Sequence, residues 1–422
     1  MTLLAVLVLQ ADEFFTALFG WNDVLARQTM AGLYLLVGLA YLLFQLLSGR
    51  IGAYTYLLWA PGLFVLFLIV SAVSNTLLLP KPLGDWVPAH YIYLPVMICY
   101  LLAALRYSER DVVLGLAVAG GVAATVIAVD ALVHLEFVKF FTRRSIFDIA
   151  ERRVVILGYE VVFCAVLAFA GAWMQFGRAA SGVFLYVIVF ALFYLESQVI
   201  QTRLALLNMG LSILLLIYWD RKRGSFLRLA FANVMLIGAL LVAPIVLDRY
   251  LDLLSQRDLI TSNQYNVYIR IQTAEFYLRQ FAESYGLGIG MMSPNAGVAN
   301  PLRAGMALQF NIVDVGLAAA LFQFGLPGLA AVCFLTINAA YSAFRAFRVL
   351  SGWPRVRAAA VAAMVIGAFI APIPANFFSI SSTTYLGGIL IYLTWYYRRV
   401  VVQHRQTRDS RSASPVRRAV VR

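Results

Sequence analysis

Apolar runs close to twenty residues long recur along this chain, and that is the length an α-helix needs to cross a bilayer. They fall near residues 28–47, 56–79, 86–105, 111–134, 154–176, 181–197, 199–219, 226–247, 325–346, 356–373 and 380–399. Segment 1–20 adds a twelfth, shallow span or an interfacial helix. Backbone polar groups inside hydrocarbon must be satisfied within the protein, so only helices and closed barrels span a membrane. A barrel would show short alternating segments, and none is present. Composition agrees, with 62% hydrophobic and 13% charged residues, where a soluble domain carries about 25% charged. The expected fold is therefore all-α: a polytopic transmembrane helix bundle of about 11–12 spans. It forms a single integral-membrane domain over residues 1–422, with one large external loop containing amphipathic helices.

The net charge of +13 would suggest nucleic acid in a soluble protein, but its placement excludes that partner. From Arg398 onward the tail holds eight arginines and a single acid, Asp409. Basic segments beside a span mark the cytoplasmic side and attract anionic membrane lipid. Residues 400–422 are expected to be a disordered cytoplasmic tail. The basic loop 220–228 and the stretch Arg345 to Arg357 share that side. Counting spans outward then places residues 248–306 outside. The apolar stretch 307–323 reads as a re-entrant or interfacial helix beneath the outer mouth. Loop 135–153 fits less well, since it counts as external yet carries Lys139, Arg143, Arg144, Arg152 and Arg153. It is either a solvated basic loop or a holder of anionic head groups.

Cys99, Cys164 and Cys333 all fall in apolar spans and offer neither metal spacing nor a disulfide framework. His90, His134 and His404 are scattered. No metal site and no cofactor are expected. The absence of an internal repeat argues against a transporter.

Candidate chemistry gathers at the outer side. Arg203 sits in Gln201-Thr202-Arg203-Leu204, about one turn inside the outer end of span 199–219. It either snorkels or holds an anion, because its planar fork suits phosphate. Glu196 is its nearby partner. Residues 263–284 read as an amphipathic helix with Val267, Ile271, Ala274, Leu278 and Phe281 on its apolar stripe. Arg270 and Tyr277 lie off that stripe and are substrate-site candidates, Arg270 being either that or part of a solvated face. Glu275 and Arg279 are spaced for a local helix pair, with Arg279 a second substrate-binding candidate. Gly286-Leu287-Gly288-Ile289-Gly290 has no preceding strand, so it reads as a helix stop and turn rather than a dinucleotide fingerprint. Asp314, alone in an apolar stretch, either caps a helix or serves as a general base.

This order of features resembles the integral-membrane O-antigen polymerase and O-antigen ligase superfamily. The likeness rests on Thr202-Arg203-Leu204-Ala205 at the outer end of a mid-chain span. Arg270 follows in the external loop, ahead of Phe276 and the Gly286–Gly290 turn, and then come Asp314-Val315 and Gly325-Leu326-Pro327-Gly328. It covers residues 195–330. The ligases place a His-Asn pair where this chain has Asp314-Val315, which favours a polymerase. The resemblance implies a metal-independent glycosyltransferase of the bacterial inner membrane with its active site facing the periplasm. Its substrate would be a polyprenyl diphosphate-linked oligosaccharide, and a chain-length regulator protein its partner. Arg203 and Arg270 would neutralise the departing diphosphate and Asp314 would take the acceptor proton. The alternatives are a ligase using the same chemistry or a flippase for lipid-linked glycans.

Overall fold

The computed structural model describes residues 2–11, 23–48, 55–78, 91–133, 142–145, 148–154, 158–176, 179–195, 203–220, 274–288, 316–370 and 384–419. Among these the chain forms helices α1 (Thr2–Ala11), α2 (Asp23–Leu47) and α3 (Thr55–Leu78). A 3-10 segment, Tyr91–Met97, leads into α4 (Ile98–Ala104), and α5 covers Glu109–Val133. Strands β1 (Thr142–Ser145) and β2 (Asp148–Val154) follow. Next come α6 (Gly158–Gly171), running on as a π-helical turn over Ala172–Phe176, then α7 (Ala180–Leu195) and α8 (Arg203–Trp219). Helix α9 is described over residues 274–283, and α10 (Gly316–Val349), α11 (Gly352–Ile370) and α12 (Thr384–Ala419) complete the bundle.

The all-α membrane bundle stands. Among the described residues four helical windows are long and apolar enough to cross a bilayer: Gln28–Gln45, Glu109–Val129, Tyr159–Phe176 and Phe324–Val349. Shorter apolar helices cover Thr55–Phe67, Leu94–Ala104, Ala180–Leu195 and Ala205–Trp219. The expected span 226–247 lies outside the described residues. The expected span 86–105 is not one α-helix in its described part. Pro95 removes a backbone donor and crowds the preceding turn, so the chain winds as 3-10 helix up to Met97 before α4 begins. This segment packs against α12, where a Cβ on Gly388 would overlap the carbonyl of Val96.

Helix α11 is the axis of the bundle. Every residue from Val356 to Val365 is buried, and five alanines, Ala358, Ala359, Ala360, Ala362 and Ala363, interrupted only by Val361, keep its girth small. Lipid tails are as apolar as leucine, so close packing of small residues, not hydrophobic expulsion, holds such helices together. Helices α6, α8 and α10 pack directly on α11. A Cβ on Gly120 of α5 would overlap the Glu160 carbonyl of α6, another close backbone approach.

Loop 135–153 departs from the all-α pattern. β1 and β2 pair antiparallel, with Arg143 opposite Arg153 and Arg144 opposite Arg152. The tail also differs from expectation, because α12 continues as helix to Ala419. Extending an existing helix avoids the cost of nucleation, and the span supplies that nucleus.

The two ends of the bundle are chemically unlike. At one end Arg357 of α11 meets Glu109 of α5, and Arg355 meets Asp220 just past α8. Trp353 packs on Phe176, and Trp219 on Phe344 and Phe347. Arg398 of α12 lies over Tyr56 of α3. This is the basic end. The first residues of α6, α8 and α12 and the start of α10 therefore lie at the far end.

Candidate functional site

At the far end, α9 and the turn after it dock on a kink in α10. Helix α9 stops in a paired-turn C-cap: the Gly286 N–H donates to the Phe281 carbonyl at 3.1 Å and the Tyr285 N–H to the Ala282 carbonyl at 3.0 Å. The left-handed position of this cap is filled by Tyr285, with φ 55°, where glycine would cost less. The Ser284 hydroxyl accepts from the Gly288 N–H at 3.0 Å and donates to the Phe281 carbonyl at 2.8 Å, closing the turn on itself.

The kink in α10 is at Gly325, with φ 64° and ψ −173°, a backbone region open essentially to glycine alone. Its effect is to free the Leu326 N–H, which donates to the Gly286 carbonyl at 2.8 Å. A Cβ on Gly325 would overlap the Leu287 carbonyl, and one on Gly288 would overlap the Gly325 backbone nitrogen. The two glycine motifs interlock backbone to backbone. The Gly286 turn is thus a helix stop, as its sequence indicates, and the kink gives the turn its docking surface. The expected separate helix 307–323 is, in its described part from Gly316, the leg of α10 before this kink.

Aromatic packing completes the platform. Tyr277 lies against Phe322, with ring centroids 4.5 Å apart, and Phe276 is 6.5 Å from the same ring. Tyr277 is only 4% exposed, whereas Leu278 is 45% exposed. The apolar stripe is therefore rotated from the expected one. Tyr277, Phe281 and Ser284 face α10, and Leu278 faces outward. Packing of the tilted Tyr277 and Phe322 rings is the physical reason, since an aromatic pair adds about 0.5–1.5 kcal/mol beyond burial. Tyr277 supports the platform from within rather than presenting a ring to substrate. Arg279 is exposed, as is Glu275, but the expected Glu275–Arg279 pair does not form; Gln280 instead donates to Glu283 at 2.6 Å. An ion pair between two solvated side chains gains little.

Arg203 is the first residue of described α8, at the same end of the bundle as the Gly325 kink. The residues before it, on which its expected depth of about one turn rests, lie outside the described residues. Its side chain, and the residues Glu196, Arg270 and Asp314, lie outside the described residues. Five residues on, Asn208 is fully buried beside Ser212. The Ser212 hydroxyl is within bonding distance of Asn208 Oδ1, at 3.2 Å, and of the Ala363 carbonyl of α11, at 3.1 Å. A Cβ on Gly367 would come within 2.5 Å of Asn208 Oδ1. These contacts set how α8 sits against α11. Near the first turn of α6, Glu160 accepts from the Tyr385 hydroxyl of α12 above an apolar cavity lined by Leu116, Phe163, Met364 and Leu393.

The basic end carries a second polar centre that local reading of the sequence missed. Arg357 Nε donates to Glu109 Oε2 at 2.8 Å, and Nη2 lies 2.8 Å from the same oxygen. The Tyr397 hydroxyl reaches Oε1 at 3.1 Å. The Tyr392 hydroxyl donates to the Tyr107 carbonyl at 2.5 Å. Tyr107 itself has its phenol held above the ordinary tyrosine range, by burial first and by the Asp111 carboxylate second. Among the described residues no group of three or more His, Cys, Asp or Glu side chains converges on one point. No protein-family profile matches the chain, and no curated protein matches it either.

Proposed function

We propose that this chain is a surface-polysaccharide polymerase of the bacterial inner membrane. It transfers glycan from a polyprenyl diphosphate-linked oligosaccharide to an acceptor sugar hydroxyl. What supports this most directly is the interlock of Gly286-Leu287-Gly288 with Gly325-Leu326. Two motifs of the resemblance, nearly forty residues apart in sequence, are built as one rigid platform at the end where α8 opens with Arg203. On the positive-inside rule the basic end is cytoplasmic, which turns the platform toward the periplasm.

In the reaction the acceptor oxygen attacks the anomeric carbon, the bond from that carbon to the phosphate oxygen breaks, and the lipid diphosphate departs. Arg203 and Arg270 stabilise the charge growing on the leaving oxygen, a fixed electrostatic role. Asp314 receives the acceptor proton. The reading requires these groups to be held together before the reaction, so that they need not be gathered at the moment it occurs.

Deleting the gene tests the reading. Single repeat units should remain on the surface lipid with no ladder of longer glycan. Long glycan that accumulates without being attached to its final carrier would instead identify a ligase.

A further inference from the structure

The arginines at the basic end fall into two groups. Arg355 and Arg357 meet the carboxylates of Asp220 and Glu109. Arg398 and Arg345 meet no described carboxylate. Arg398 Nη2 donates to Asn338 Oδ1 at 2.5 Å and Nε to the Ser342 hydroxyl at 3.4 Å. Its guanidinium lies 4.5 Å from the centre of the Tyr56 ring. Arg345, one turn beyond Ser342 on the same face of α10, lies over the Tyr341 ring at 5.4 Å. Neutral acceptors and ring faces orient these guanidinium forks without neutralising them, and each fork has more N–H donors than these contacts use.

The same face of α10 continues as an apolar stripe toward the middle of the span. Tyr341 is 55% exposed, Ile337 53% and Phe334 49%. Two oriented cations at the end of an apolar track about 16 Å long, roughly one leaflet deep, match one amphiphile in both its parts. We infer that Arg398 and Arg345 bind the phosphate of an anionic phospholipid of the cytoplasmic leaflet, with an acyl chain lying along Tyr341, Ile337 and Phe334. Basic pockets between transmembrane helices on that side are a recurrent form of lipid recognition, and guanidinium is the cation best matched to phosphate. The apolar track favours a lipid over free phosphate.

The full-length protein, purified in detergent, is incubated with phosphatidylglycerol or phosphatidylcholine, and bound lipid is counted by native mass spectrometry. Wild type should retain phosphatidylglycerol and shed phosphatidylcholine. R398Q/R345Q should lose about tenfold in retention. R398K, which keeps the charge but not the planar fork, should retain an intermediate amount. A chain ending at Thr407 should bind as wild type. Undiminished retention by R398Q/R345Q would overturn the inference, as would loss of binding on tail removal alone. Displacement of the lipid by excess inorganic phosphate would mean a site for a soluble anion and would overturn it too.

Discussion

Replacing Gly325 by alanine probes the platform where it is least tolerant. Residue 325 holds φ 64° and ψ −173°, and a non-glycine residue there costs on the order of 1–3 kcal/mol. The added methyl would also overlap the Leu287 carbonyl, so the turn must retreat. Retreat gives up the Leu326 to Gly286 hydrogen bond, worth about 1 kcal/mol, and loosens the Tyr277–Phe322 ring contact, worth at most about 1.5 kcal/mol. Together the docked state should lose on the order of 3 kcal/mol, which corresponds to amide exchange about a hundredfold faster. Hydrogen exchange followed by mass spectrometry should show this over residues 284–288 and at Leu326, with the Val356–Val365 core unchanged. Gly352 is the control. It also has positive φ, 63°, but nothing lies within 4 Å of a Cβ there, so G352A carries backbone strain without overlap and should leave residues 284–288 alone. Exchange in G325A within about threefold of wild type would refute the claim that these glycines interlock.

Two further substitutions test the cap and the basic end. Tyr285→Gly should tighten the end of α9 by about 1 kcal/mol, because glycine fills the left-handed cap position without strain; slower exchange at the Gly286 amide checks this, and faster exchange would contradict it. Glu109→Ala strands Arg357 in a buried setting and should cost about 3–5 kcal/mol; SDS-induced unfolding measures it, and a loss below about 1 kcal/mol would show that the pair behaves as a surface salt bridge.

Helix positions were legible because bilayer-length apolar runs leave few choices. Helices α2, α3, α5, α7 and α8 begin and end within a few residues of their apolar runs. The hydropathy of span 86–105 hid the break at Pro95, because an apolar run looks the same whether it winds as α-helix or as 3-10 helix. The phase of α9 misled because Tyr277 and Leu278 are adjacent and both apolar in body. Only Phe322, far along the chain, decides which of them is buried. Gly325 announced a break in its Gly-Leu-Pro-Gly setting, but not that the freed Leu326 N–H would find Gly286. The Glu109–Arg357 pair spans 248 residues of sequence, and no local pattern joins two such charges. In the tail, arginine-rich composition pointed to disorder, while continuity with a formed span favours helix.

Arg203 carries the central claim. Arg203→Ala, expressed to wild-type level in the membrane, is assayed for polymer in the deletion strain. Loss of one charge-assisted contact to a departing diphosphate costs about 2–4 kcal/mol of transition-state stabilisation, a drop on the order of a hundredfold. Arg203→Lys keeps the charge but not the bidentate fork and should recover only part. Near-normal polymer synthesis by Arg203→Ala would contradict the account.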